Sequence, residues 1–292
     1  MLKTAALILS FIICGNGMAQ DSPAMASAPP QWVDLTDDLS RGDLASYEVI
    51  NFGPPADKDV RRAFMFPKDT NDGIYGIDVS HHNGVVDWAI VAQRGVRFAY
   101  IKASQGDRFR DSRFAANWAA AGKNTTIRRG AYHFLTPDRS GKDQAKIFLA
   151  ILDAAGGLKK DDLTPVLDLE WAFAKQNGKD VDQWEMLDQQ KIAQIVIDCA
   201  TAIKTATGRT PVIYTAASWW NGRMKDSTAL IAYPHWTADY RAASIKAGAP
   251  QSVRRHVQLA WQFTDTGLLQ GGAKKFDVNR LNGSDLNKLS GL

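Results

Sequence analysis

The feature that most constrains the fold is a regular alternation of short apolar runs and longer amphipathic runs, which begins at Gly73. Apolar runs of strand length occur at residues 76–79, 98–102, 129–134, 165–169, 211–215, 230–238, 258–263 and 276–278. Runs with apolar residues at helical spacing lie mostly between the early strands, at residues 87–94, 112–121, 142–155 and 189–207. This alternation predicts parallel βαβ units. About eight strands in a block of ~220 residues predict an α/β fold, a TIM-like (β/α) barrel whose later helices are reduced. A doubly wound open sheet is the alternative.

The N-terminal region has a different composition. Residues 1–19 combine the positive charge of Lys3 with an apolar stretch at 5–14 and a small residue, Ala19, at a cleavage position. This pattern predicts a signal peptide, since the apolar stretch is too short to span a membrane. Residues 20–72 predict a proline-bearing linker and an irregular extension, and residues 73–292 the barrel domain. We therefore expect an exported protein, periplasmic or secreted, with no membrane span in the mature chain.

Charge and motifs argue against several classes of partner. Removal of Lys3 with the signal peptide leaves 34 of the 35 basic residues against 31 acidic ones, a net charge of +3. The basic residues are scattered, which argues against nucleic-acid binding but is compatible with an anionic wall polymer. No Gly-x-Gly-x-x-Gly or Walker-type loop supports a nucleotide cofactor. Cys199 would be the one thiol left, on the apolar stripe of a helix, so we expect no internal disulfide and a buried thiol. We expect a monomer without a cofactor.

The segment Thr164-Pro165-Val166-Leu167-Asp168-Leu169-Glu170-Trp171 ends an apolar strand in two carboxylates. Because strand side chains alternate with period two, Asp168 and Glu170 should project from the same side. Two close carboxylates do not both ionise readily, so one of them, the drier, should have a raised pKa and donate a proton near neutral pH. Such a pair suits hydrolysis of a glycosidic bond. The alternative is a pair that only caps neighbouring backbone N–H groups.

Other polar residues fall at the ends of the predicted strands, where a parallel barrel carries its active site. They are Asp78, Lys102, Tyr132, His133, Tyr214, Trp236, Gln262 and Asp277. Four carboxylates would thus meet around one mouth with aromatic side chains between them. Aromatic rings stack on sugars, while carboxylates and amides bind their hydroxyl and acetamido groups. This convergence favours a functional site over a chance pair of acids.

Competing chemistries have weaker support in the sequence. His81 and His82 are adjacent, and on an extended segment they would point in opposite directions, which argues against a shared metal ion. No His-Glu-x-x-His or Cys-x-x-Cys motif is present, so we expect no metal. Ser80 and Ser104 lack the elbow motif of a serine nucleophile. We expect Trp219 and Trp220 to belong to the core, with a sugar platform as the alternative.

Read in order, these motifs resemble the glycoside hydrolase family 25 muramidases, the Chalaropsis-type lysozymes. The resemblance covers residues 74–283 and is carried by Gly76-Ile77-Asp78-Val79-Ser80-His81-His82-Asn83-Gly84, Asp87-Trp88, Phe98-Ala99-Tyr100-Ile101-Lys102-Ala103-Ser104-Gln105-Gly106, Arg129-Gly130-Ala131-Tyr132-His133-Phe134, Pro165-Val166-Leu167-Asp168-Leu169-Glu170, Ile213-Tyr214-Thr215, Trp236-Thr237-Ala238-Asp239-Tyr240, Trp261-Gln262-Phe263-Thr264 and Phe276-Asp277-Val278-Asn279. Two departures are Phe263, where a Tyr is common, and the short basic stretch before Asp277.

The resemblance implies an irregular, flattened β/α barrel that cleaves the β-1,4 bond between N-acetylmuramic acid and N-acetylglucosamine of peptidoglycan. It implies that Glu170 is the general acid and that Asp168, Asp78 and Asp277 line its pocket. Substrate contacts are implied at Tyr132, Tyr214, Trp236 and Gln262, and Lys102 is a further candidate from its position at a strand end.

We expect retention of anomeric configuration, with either a carboxylate or the substrate's own acetamido oxygen as nucleophile. The Asp-x-Glu spacing favours the acetamido route. Two other functions remain open at this point: a non-catalytic glycan-binding protein and a chitinase-like hydrolase.

Overall fold

The computed structural model describes residues 64–65, 73–225, 227–240, 256–268 and 275–290. The predicted signal peptide and nearly all of the predicted linker and extension lie outside these residues. Twelve strands are formed by the described residues: β1 Phe64–Met65, β2 Tyr75–Val79, β3 Val96–Gln105, β4 Phe109–Arg110, β5 Arg128–Phe134, β6 Val166–Asp168, β7 Phe173–Gln176, β8 Lys179–Asp182, β9 Val212–Ala216, β10 His235–Ala238, β11 Gln258–Leu268 and β12 Lys275–Leu281.

Eight of these strands close into a barrel, which confirms the predicted α/β barrel. The order around the barrel is β2-β3-β5-β6-β9-β10-β11-β12, and β12 pairs back to β2. All neighbours are parallel except β12, which is antiparallel to both β11 and β2. The eighth strand therefore departs from the parallel pattern expected of a (β/α) barrel. The predicted run 230–238 forms a strand only at His235–Ala238, since turns precede it.

Few helices accompany the barrel, as predicted. They are α1 Trp88–Gln93, α2 Phe114–Gly122, α3 Gly141–Ala154, α4 Gln189–Thr207 and α5 Ala217–Arg223. The first four match the predicted helical runs, and three of these begin at a side-chain cap: Asp87, Ser140 and Asp188 each accept a backbone N–H of the first turn. Helix α4 ends at Gly208, whose φ of 74° is the left-handed conformation that glycine adopts freely. Helix α5 was not predicted, because it follows β9 without any capping signal.

The helices pack outside the strands and bury a large apolar cluster. Cys199 lies in this cluster on the inner face of α4, and Trp219 and Trp220 lie there on α5. The core interpretation of all three residues is therefore confirmed. No helix in the described part of the chain is both long and apolar enough to cross a membrane.

A second cluster fills the barrel itself, and its members sit at alternating strand positions. Phe98 and Tyr100 point inward from β3, where they pack beside Gly76 of β2 and Gly130 of β5. A Cβ on Gly76 would lie 2.3 Å from the Phe98 ring, and one on Gly130 would lie 2.3 Å from the Tyr100 ring. The two glycines thus make room for the aromatic rings that close the bottom of the site.

Candidate active site

The interior positions that follow this apolar layer carry the polar residues of the site. Because side chains alternate along a strand, Asp78 lies two residues beyond Gly76, Tyr132 two beyond Gly130, and Asp168 two beyond the buried Val166. The same step leads to Tyr214 from Val212 and to Gln262 from Ala260. Along each of these strands, the inward-facing position is therefore apolar in one layer of the barrel and polar in the next.

Asp168 and Glu170 stand at the end of β6. The strand ladder continues past Asp168, since the Leu169 N–H donates to the Tyr214 carbonyl at 2.9 Å. Asp168 is buried, and its Oδ1 has no hydrogen-bond partner within the described residues. The Glu170 side chain is partly exposed. Neither carboxylate accepts a backbone N–H from the part of the chain that the structure describes, so capping does not explain the pair.

The surroundings raise the pKa of both carboxyl groups. Burial raises the pKa of Glu170 to about 7, with a further contribution from the charge of Asp78. Burial also raises the pKa of Asp168 well above its usual range, and the Glu170 charge adds to this. Lys102 opposes both shifts. Burial alone would favour Asp168, the more buried carboxyl group, as the proton donor, whereas the family resemblance favours Glu170.

A second carboxylate pair lies across the β2–β12 junction, where Asp277 is the register partner of Asp78. The two carboxyl groups interact, so ionisation of one disfavours ionisation of the other. Asp78 Oδ2 also accepts from Gln262 Nε2 at 2.9 Å and from Asn279 Nδ2 at 2.7 Å. Burial raises the pKa of both carboxyl groups, and the Asp78 charge raises that of Asp277 further. Because Gln262 and Asn279 both donate to Asp78, the ionised form is favoured on Asp78 and the protonated form on Asp277.

Lys102 supplies the positive charge of the mouth. It is buried on β3, and its Nζ donates to Gln105 Oε1 at 2.9 Å and lies 4.7 Å from the centroid of the Phe134 ring. Burial lowers the pKa of Lys102, while the charges of Asp168 and Glu170 raise it. The lysine and the two carboxylates therefore form one electrostatic group.

The remaining predicted site residues differ in how far their side chains are exposed. Tyr132 is partly exposed, and Asp78, Asp168 and Asp277 all raise its pKa, which places it among the carboxylates. Tyr214 is nearly buried and donates its O–H to Gln262 Oε1 at 2.7 Å.

Trp236 and Gln262 are each only 2% exposed. The Trp236 indole stacks on Tyr100 at 5.1 Å between ring centroids and donates its N–H to Asn279 Oδ1 at 2.8 Å. Trp236 and Gln262 thus support the site from the barrel interior.

Asn279 and Tyr240 belong to the site but were not predicted as site residues. Asn279 bridges Trp236 and Asp78, and Tyr240 donates its O–H to Gln262. Period-two spacing from Asp277 could have identified Asn279. The same spacing, counted from Trp236 through Ala238, leads to Tyr240, which lies just past the end of β10.

The interpretation of His81 and His82 as oppositely directed side chains is wrong. They lie in a 3-10 turn, not an extended segment, and their ring centroids are 3.9 Å apart. His81 Nδ1 lies 2.8 Å from Asp111 Oδ2. Within the described residues no group of three or more His, Cys, Asp or Glu side chains could hold a metal ion.

Comparison with known proteins points to one family. The family described as "Glycosyl hydrolases family 25" matches residues 77–272. Lysozyme M1 of Streptomyces globisporus is 36% identical over 224 residues, which cover 75% of this chain and 70% of that protein. The N,O-diacetylmuramidase of Chalaropsis sp is 30% identical over 224 residues, covering 74% and 99%.

Solved structures agree with the sequence matches. A bacterial lysozyme from Streptomyces coelicolor superposes with a TM-score of 0.64 at 34% identity, covering 76% of this chain and 96% of that one. A family 25 lysozyme from Aspergillus fumigatus gives a TM-score of 0.61 at 26% identity, covering 75% and 99%. With its barrel and its ordered strand-end residues, this chain belongs to glycosyl hydrolase family 25 and is a glycoside hydrolase.

Proposed function

We propose that this protein is an N-acetylmuramidase that cleaves the β-1,4 bond between N-acetylmuramic acid and N-acetylglucosamine in peptidoglycan. We also propose that residues 1–19 direct its export and that it acts as a monomer in the periplasm or the medium. The observation that carries the proposal is the electrostatic group of Asp168, Glu170 and Lys102 in a mouth lined by tyrosines. Family membership and the names of the lysozyme relatives support the same substrate.

Glu170 is the better general acid of the two carboxyls. Its pKa of about 7 leaves a large protonated fraction near neutral pH, and its partly exposed side chain can approach a glycosidic oxygen. Asp168 is the more buried of the two carboxyls, so it cannot reach the leaving group as readily. Glu170 therefore protonates the leaving oxygen as the C1–O bond breaks, and its carboxylate later removes a proton from the attacking water.

Asp168 suits a different task. A buried carboxylate oxygen without a partner is costly unless a ligand supplies a hydrogen-bond donor. The acetamido N–H of the substrate is such a donor. Binding it would orient the acetamido carbonyl oxygen toward C1, where that oxygen forms a bond as the leaving group departs. Water then opens the cyclic intermediate at C1, so two displacements give net retention.

The other predicted residues hold this arrangement. Asp78 is the more readily ionised member of its pair with Asp277, so the pair carries one negative charge near the forming oxocarbenium centre. Tyr132 and Tyr214 present phenol groups to the sugar, while Gln262 and Trp236 position the residues above them.

The test replaces Glu170 with Gln and measures hydrolysis of purified peptidoglycan by turbidity and by mass analysis of the released muropeptides. We expect a loss of at least about 100-fold, the contribution of a positioned acid–base group. Asp153→Asn is the matched acid-to-amide control, since Asp153 is exposed on α3. Wild-type clearing by Glu170→Gln would refute the assignment.

Two comparisons separate this proposal from its alternatives. Reducing ends released from chitin but not from peptidoglycan would indicate a chitinase-like enzyme, and wall binding without release would indicate a non-catalytic glycan-binding protein. The proton NMR signal of the first-formed anomer reports retention directly. Inhibition by a thiazoline analogue of the cyclic intermediate distinguishes the acetamido route from attack by a carboxylate.

A further inference from the structure

A row of flat side chains leads outward from Lys102. The Phe109 ring of β4 lies with its centroid 5.7 Å from Lys102 Nζ and 5.4 Å from the His81 ring. The His81 ring in turn contacts the His82 ring, with centroids 3.9 Å apart and planes tilted by 39°. We refer to Phe109, His81 and His82 as the outer ridge. The ridge begins where the mouth ends, because Lys102 of the mouth lies against its first ring, Phe109.

The two histidine rings of the ridge are not needed to form the turn that carries them. Ser80 accepts the His82 N–H on its side chain, and Asn83 Oδ1 accepts the Ser80 N–H at 2.9 Å, which makes a capping box. The His81 N–H donates to Asp111 Oδ2 at 2.9 Å. Backbone and cap hydrogen bonds therefore fix the turn, and the ring stack is an additional feature.

Asp111 fixes the orientation of the central ring. Its side chain is fully buried, and it accepts from the His81 and Arg113 backbone N–H groups and from His81 Nδ1. The hydrogen atom of the His81 ring is thus held on Nδ1 or, in the imidazolium, on both nitrogens. A ring held in this way is pre-organised for stacking, because little conformational freedom is lost when a ligand binds.

The ridge is accessible. Phe109 is 39% exposed, the His81 side chain is 30% exposed, and His82 is exposed. Partial burial and the positive charges of His81 and Lys102 lower the pKa of His82, which favours the neutral ring. An exposed neutral ring beside an exposed phenyl group offers apolar faces, which suit the C–H face of a pyranose.

We propose that the outer ridge is a distal sugar subsite, which stacks on a pyranose ring of the glycan strand beyond those at the scissile bond. This inference rests on the proposed function for the identity of the strand. Continuity with the mouth through Lys102 is the reason to assign the ridge to the glycan and not to a separate partner. The consequence is a preference for long strands over short ones.

The test measures binding in the Glu170→Gln background, so that no strand is cut. The probes are peptide-free glycan strands of alternating N-acetylglucosamine and N-acetylmuramic acid, a tetrasaccharide and a fraction of long strands. Phe109→Ala and His82→Ala should each weaken binding of long strands by about fivefold and that of the tetrasaccharide by less than about twofold, the size expected for one lost aromatic face.

Two further variants separate stacking from structural damage. His82→Phe keeps a flat ring and should restore long-strand affinity. Val257→Ala is the control, since Val257 is exposed next to the amino end of β11, away from the mouth. Equal losses for both probe lengths, or unchanged binding of long strands, would overturn the subsite. An inactive wild-type enzyme would refute the proposed function, whereas the binding comparison would still decide on the ridge.

Discussion

Replacing Lys102 with Met gives a sharp test of how the mouth sets the pKa of its acid. Lys102 is the positive group that stabilises the ionised forms of Asp168 and Glu170. Without it, loss of a proton from Glu170 becomes less favourable, so the pKa of Glu170 must rise. A general acid works only in its protonated form. The alkaline limb of the rate profile, which falls as pH rises through this pKa, should therefore move to higher pH.

The magnitude follows from the position of the lysine. A neighbouring opposite charge typically changes a carboxyl pKa by about 1–3, and partial exposure of Glu170 places the effect at the low end, about one pH unit. From a starting pKa of about 7, roughly a tenth of Glu170 is protonated at pH 8 in the wild type and about half in Lys102→Met. The raised pKa of Asp168 should move the acidic limb in the same direction.

The assay is kcat/KM on soluble peptidoglycan fragments between pH 4 and pH 9, as rough bounds of the titration range of these groups. Lys102→Arg keeps the charge and should keep the limb in place, even if its overall rate is lower. The position of the limb, and not the rate, is the readout, because a lysine that only binds substrate would change the rate without moving the limb. Coincident alkaline limbs in the wild type and Lys102→Met would refute the reasoning.

Three further predictions concern stability and the supporting network. Burial lowers the pKa of His133 to about 4 from 6.5, so the unfolded chain binds more protons than the folded one between these pH values. Acidification through this window should therefore lower the free energy of unfolding by up to roughly 3 kcal/mol. His133→Asn should flatten the pH dependence of the urea midpoint. Asn279→Ala removes a donor to Asp78 and should lower the free energy of unfolding by roughly 1–3 kcal/mol and reduce kcat, measured by urea unfolding and muropeptide release. Gly130→Ala places a Cβ 2.3 Å from a buried tyrosine ring and should lower the free energy of unfolding, measured by thermal unfolding, by roughly 1–3 kcal/mol. Gly222 lies on α5 with open space around it, so Gly222→Ala should raise the free energy of unfolding by about 0.5–1 kcal/mol. A destabilised Gly222→Ala variant would contradict the last comparison.

The barrel could be predicted because its signal is local. Each of the eight barrel strands overlaps an apolar run, and the first four helices show helical spacing, so the sequence reveals element type without knowledge of contacts. The candidate site followed from the same rule, since parallel strands bring their carboxyl ends together. Asp78, Asp168 and Tyr214 were identified in this way.

What could not be predicted depends on contacts between distant residues. The turn at His81 is fixed by Asp111, thirty residues further along the chain, so two adjacent histidines gave no hint of their stacked rings. The burial of Trp236 depends on the ring of Tyr100 and the amide of Asn279, which come from other strands. Strand-end position shows that a side chain is near the mouth but not whether it faces substrate or supports a neighbour.

The reversed direction of β12 links the topology of the barrel to the pKa of its acid. A parallel eighth strand would bring only its last residues to the mouth, whereas an antiparallel one brings its first residues there, and Asp277 is the third residue of β12. Register pairing with Asp78 then sets two carboxylates on neighbouring strands, where the charge of Asp78 raises the pKa of Asp277. Since Gln262 and Asn279 donate to Asp78, the remaining negative charge stays there, and from there it raises the pKa of Glu170. The direction of one strand thus contributes to keeping Glu170, the proposed acid, protonated near neutral pH.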